Sequence, residues 1–154
     1  MPTLLRCLAA EAVDVLVPLF DAVRAWAPFG LRGMWGALAD GIGGRAAFGA
    51  AERGEDGAPA FRRAMAVVDA IAKAAPLSAI IRPFLVPVEW SGGVTHLPRK
   101  GTCCLLYKTT ADRDPSGENY CTACPLRDEE SQLVRWVRWL EDRAADRETR
   151  SQTG

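Results

Sequence analysis

The stretch "GTCCLLYKTTADRDPSGENYCTACPLRDEE", residues 101–130, holds four of the five cysteines of a 154-residue chain, all between Cys103 and Cys124. Two adjacent cysteines are followed by a polar loop and then by Cys-x-x-Cys. Cys121 and Cys124, in "YCTACPL", have the spacing that lets two thiolates converge on one metal centre across a tight turn, and Pro125 ends that turn. Cys103 and Cys104 present a harder problem. On an extended strand their side chains point to opposite faces. The backbone must therefore bend there, or the two sulfurs must reach different metal atoms. A two-iron centre tolerates the second arrangement better than a single tetrahedral zinc does.

Three chemistries fit the four clustered cysteines: a four-thiolate iron–sulfur cluster, a structural four-thiolate zinc site, and a thioredoxin-like dithiol at Cys121 and Cys124. The last belongs beside a βαβ pattern, which the sequence does not show. Cys7 stands apart in an amphipathic helix and reads as a small buried hydrophobe.

Outward from the cysteines, the chain reads as mostly α. Residues 4–27 form a helix whose apolar face is Leu5, Leu8, Ala12, Leu16, Leu19, Val23 and Trp26, with Pro18 expected to kink or split it. Residues 31–50 form a glycine-rich second helix with Leu31, Trp35, Leu38 and Ile42 on one face, and Pro59 opens a third over 59–75. "ERGEDG", residues 52–57, is a loop by composition. The proline-rich segment from 76 reads as extended, with a turn at Gly92-Gly93. "VTHLP" and "CCLLYKTT" are expected to pair as a short β-hairpin or ribbon. The loop Thr109–Asn119 reads as a tolerant surface excursion. Asp128 caps a closing helix with a stripe of Leu133, Trp136, Val137 and Leu140, and the tail from Ala145 is expected to fray. The fold class is thus a helical domain with a short hairpin or irregular cysteine-bearing module before the C-terminal helix. One domain covers 1–150, with a helical part over about 4–82, the module over about 90–127 and the closing helix over about 128–147.

Composition narrows the function. Lys plus Arg and Asp plus Glu are 19 each, which disfavours a nucleic-acid binder. No secretory signal and no membrane-spanning run is evident, and an odd number of cysteines points to metal or redox chemistry in a reducing compartment, the cytoplasm. A single histidine, His96, closes the Rieske reading, which needs two. Arg99, Lys100 and Lys108 flank the first cysteine pair with no acid between residues 90 and 111. They offer positive charge to a thiolate centre or to an anionic partner. Taken singly, each also fits a solvated surface charge. Trp90 is the aromatic best placed to line a pocket, whereas Trp26, Trp35, Trp136 and Trp139 fall at helical spacing and read as core.

The pattern "CCLLYK…YCTACPLRDEE" resembles the C-terminal signature of the FhuF-like ferric-siderophore reductases, and "LRGMWGALAD" is similar to that family's Leu-Trp-Gly segment. The resemblance runs over roughly residues 4–147. The gap of sixteen residues between Cys104 and Cys121 is longer than the family's, and the chain begins near the middle of the family pattern, without the usual N-terminal lobe. The resemblance implies a [2Fe–2S] cluster on Cys103, Cys104, Cys121 and Cys124. It implies one-electron reduction of a ferric siderophore, of hydroxamate type, with release of Fe(II) and an unidentified electron donor. That role allows peripheral contact with the inner membrane face and gives Arg99, Lys100, Lys108 and Trp90 as candidate substrate or donor contacts. The alternatives are a four-cysteine zinc interaction module and an electron carrier without its own siderophore site.

Overall fold

A computed structural model describes residues 2–27, 29–75, 80–105 and 120–152. Among them lie four helices, α1 Pro2–Trp26, α2 Leu31–Glu52, α3 Gly57–Ala74 and α4 Glu129–Gln152, and one antiparallel hairpin, β1 Phe84–Trp90 and β2 Gly93–Arg99. The mostly helical class with a hairpin before the last helix is what the sequence predicts. Among the described residues, no helix is long and apolar enough to cross a membrane.

Helices α1 to α3 share one core, built from Ala9, Val13, Trp35, Ala39, Val68 and Ile71, with Phe20 packed edge-on to Trp35 at 4.9 Å. A second core lies between the hairpin, the end of α2 and α4, and centres on Val88, Leu97, Trp136 and Leu140. Val88 and Leu97 are both fully buried, so the ribbon is covered on its inner face by helix. That coverage is what a two-stranded hairpin needs to be stable.

Several sequence expectations are corrected here. The partner of "VTHLP" is "FLVPVEW", with Pro87 opposite His96 and Trp90 opposite Gly93, so the module begins at Phe84. Residues 103–105 are not strand, and 106–110, with Lys108, lie outside the described residues, as does the loop 109–119. Pro87 and Pro98 are tolerated because both strands of a two-stranded ribbon are edges. Helix α1 runs unbroken through Pro18, and it packs through Ala9, Val13, Leu16, Val17 and Phe20. Its expected buried residues Leu8, Leu19, Val23 and Trp26 are exposed, and so is Cys7. The tail does not fray at Ala145: α4 continues to Gln152, and Arg147 donates to the carbonyls of Ala51 and Glu52. Those two carbonyls lie at the end of α2, where the helix dipole favours a cationic donor.

Asp56, not Pro59, starts α3, and it ties that helix to the hairpin. Its Oδ1 accepts the Ala58 amide at 3.3 Å, as an N-cap, and the His96 amide at 2.9 Å, with the His96 ring Nδ1 at 3.0 Å. Gly57 beside it lets α3 approach the His96 carbonyl, where a Cβ would collide. Burial pushes the Asp56 carboxyl up, but the bonds from His96 and Ala58 outweigh it and hold its pKa below the usual value. The carboxylate form is therefore the stabilising one. Its contribution is complete above the unfolded pKa of about 3.9 and is lost as pH falls through the lowered folded value. Asp56→Ala is expected to cost about 1–2 kcal/mol in urea denaturation at neutral pH, and Asp56→Asn less. The difference between wild type and Asp56→Ala should shrink on acidification; a constant difference would contradict the capping role.

Candidate metal centre

The cysteine segment is held from two sides. On the first side, α2 supplies Asp40, a carboxylate buried to 4% exposure in an otherwise apolar stretch of helix. It accepts the Gly101 amide at 2.8 Å and the Thr102 amide at 3.0 Å, and the Thr102 hydroxyl as well. A buried carboxylate costs free energy unless its oxygens are satisfied, and here two backbone amides and a hydroxyl satisfy them. The result fixes the two residues before Cys103. Gly36, one helical turn earlier, permits the close approach, since a methyl group there would strike the Thr102 side chain.

On the second side, the Cys-x-x-Cys turn is closed by the Cys124 amide on the Cys121 carbonyl at 2.9 Å. Four side or main chains brace it. The Lys100 amide donates to the Ala123 carbonyl at 3.0 Å, which joins the end of β2 to the turn. Arg99 donates to the carbonyls of Pro125 and Arg127 at 3.2 and 2.7 Å. Gln132, buried on the first turn of α4, donates to the Thr122 carbonyl at 3.0 Å. Arg127, also buried, donates to the Tyr120 carbonyl and to Ser131 Oγ. Asp128 caps α4 as the sequence predicts, accepting the Ser131 amide at 2.7 Å.

Between these supports the four sulfurs converge. Cys104 and Cys121 lie 3.9 Å apart, sulfur to sulfur. Cys103 couples electrostatically to Cys124 and Cys104, and Cys121 to Cys104 and Cys124. Directly after the pair, Leu105 adopts φ 58°, a left-handed conformation costly for a branched residue, and its amide points at Cys103 Sγ at 3.4 Å. Cys124 is buried and Cys104 exposed, so the group has an inner and an outer edge. Among the described residues, no set of three or more His, Cys, Asp or Glu side chains is placed to hold a single metal ion.

Burial pushes the Cys121 thiol up to about 11; Lys100 opposes the rise, and Cys104 and Cys124 add to it by like-charge repulsion. Cys103 is raised for the same first reason, with the Leu105 amide opposing and Cys124 and Cys104 contributing. Crowded thiols of this kind stay protonated until a metal exchanges for their protons. Soft sulfur donors without oxygen or nitrogen select zinc or iron–sulfur centres. Lys100 Nζ sits 3.6 Å from Cys121 Sγ. Burial disfavours its charge, but the Cys121 and Cys104 sulfurs and Asp40 prevail, so its pKa is raised and the ammonium persists.

The expected contacts therefore divide. Lys100 touches the Cys121 sulfur. Arg99 does not; it is spent on backbone carbonyls. Trp90 lies at the opposite end of the hairpin, bonded to Thr95 Oγ1 at 3.0 Å and packed on the second core. Asp40, Arg127 and Gln132 are site residues that sequence reasoning misses. Only Arg127 carries a hint, by following "CPL" directly.

Asp40→Ala is expected to cost more than about 2 kcal/mol, because buried amides lose a charged acceptor. Amide exchange at Gly101–Leu105 should accelerate more than in α2 itself. Unchanged exchange there would contradict the clamp. No protein-family model, curated protein or solved structure matches this chain.

Proposed function

We propose that Cys103, Cys104, Cys121 and Cys124 hold a [2Fe–2S] cluster through which the protein reduces ferric siderophores, of hydroxamate type, in the cytoplasm. The observation that carries a metal centre is the convergence of the four sulfurs, with Cys104 and Cys121 3.9 Å apart and Cys103 and Cys121 each coupled to Cys104 and Cys124. Four convergent thiolates suit a two-iron cluster or a tetrahedral zinc, and the likeness of the cysteine signature favours the cluster. The siderophore reading is supported by the likeness of the cysteine signature to the FhuF-like reductases.

Bound there, the cluster would supply one-electron transfer. A ferric siderophore accepts a single electron, its iron becomes Fe(II), and the hard oxygen ligands lose most of their hold. An external donor restores the electron. No proton donor or nucleophile is needed, so the protein's part is to hold, shield and tune. Cys124 and its buried neighbours Ala123 and Gln132 keep water from the inner edge. Cys104 marks the outer edge, where substrate and donor can come close. The Lys100 ammonium stabilises added negative charge on the sulfurs and so raises the potential.

Single serine substitutions at the four cysteines should each bleach or destabilise the cluster, and Cys7→Ser should leave it intact. Retention of a full cluster in Cys104→Ser would overturn the four-ligand assignment. Lys100→Gln should lower the potential while changing stability little. Arg99→Gln should do the reverse, costing about 1–3 kcal/mol through its lost carbonyl partners. The activity is tested by mixing chemically reduced protein anaerobically with ferric hydroxamate, catecholate and citrate complexes and an Fe(II) trap. Reoxidation of the cluster with matching Fe(II) release is expected, fastest with hydroxamate. A reduced cluster that persists with all three contradicts the reductase reading.

A further inference from the structure

Helix α1 is apolar on more of its surface than the fold uses. Its inward side, Ala9, Val13, Leu16 and Phe20, packs on α2 and α3. Next to that side runs a second stripe, Leu4, Leu8, Val15, Leu19, Val23 and Trp26, and all six are exposed, Leu4 to 65%, Val15 to 69% and Trp26 to 92%. At about 100° per residue the two sides together span about 180° of the helix without a charged residue, well beyond the stripe of about 100° that a surface helix needs. The acids Glu11, Asp14 and Asp21 lie outside this arc. The six side chains leave on the order of 700 Å² of apolar surface in water, more than the ~300–600 Å² of the largest patch on a typical monomer. That area approaches the ~800 Å² per partner of a standard interface.

We propose that this stripe is the contact between two copies of the chain, paired antiparallel through α1 about a two-fold axis at Val15. With Val15 opposite its own copy, directly opposed positions sum to 30, so Leu4 falls opposite Trp26, while Leu8 staggers against Val23 and Leu19 against Ala12, one residue out of register. The acids bordering the stripe disfavour an anionic lipid surface, which selects Lys- and Arg-rich helices. Burying the stripe gives α1 a second supporting face. The cysteine segment is held by α2 and the Cys-x-x-Cys turn and takes no part in the contact, so the pairing is independent of the metal.

The test is the solution mass of the full chain by light scattering from micromolar to sub-millimolar concentration, with Val15→Arg alongside. The wild type should reach twice the chain mass. Val15→Arg, which sets two like charges on the axis, should raise the dissociation constant at least about tenfold while keeping the helical circular dichroism. A wild type that stays monomeric throughout overturns the proposal, as does a Val15→Arg protein that dimerises equally well. Should Val15→Arg lose helicity, hydrogen exchange on the wild type decides. Protection of the α1 amides that falls on dilution supports the pairing; protection independent of concentration overturns it.

Discussion

The buried carboxylate of Asp40 is the constraint on which the rest of the site depends. It is a charged group driven into the apolar helical part, and it is satisfied by the backbone of Gly101 and Thr102, far away in sequence. A charge in that position is tolerated only while those amides stay in place. The helical core therefore dictates where the first cysteine pair begins. Without Asp40 the residues before Cys103 have little apolar surface of their own to order them.

The other half of the site is ordered differently. Around Cys121–Cys124, the carbonyls of a tight turn are met by donors from β2, α4 and the residues between, namely Lys100, Arg99, Arg127 and Gln132. Three of these are cations, and their placement has a consequence for chemistry as well as for fold. Arg99 and Arg127 are spent on backbone carbonyls and on Ser131. Of the three, Lys100 reaches a sulfur directly. Neighbouring cations thus meet different partners, Arg99 backbone carbonyls and Lys100 a sulfur.

Much of this is legible in sequence. The class, the four helices, the Asp128 cap and the Trp136–Leu140 stripe follow from periodicity and end signals. The misreadings have physical causes. The strand Phe84–Trp90 is hidden by Pro83 and Pro87, which read as strand breakers although an edge strand admits them. The packing face of α1 is misjudged because the helix is apolar on two adjacent sides, and periodicity alone cannot say which of them meets a neighbour. Asp40 gives no signal in "WGALAD" because its partners are distant in sequence and include backbone groups, which leave no compositional trace. Arg99 and Lys100 look equivalent, since only the fold reveals that carbonyls surround one and sulfur the other. The cysteine spacing is readable, but the 3.9 Å approach of Cys104 to Cys121 and the left-handed turn at Leu105 are not, because no residue type announces either.

The central claim is that the four cysteines form one two-iron centre. Metal and sulfide analysis of the full chain, purified anaerobically without added metal and again after reconstitution with iron and sulfide, tests it most directly. The account predicts a red-brown protein with two irons and two acid-labile sulfides per chain and a paramagnetic signal on one-electron reduction. A colourless protein that carries one zinc per chain and takes up no iron on reconstitution would contradict it.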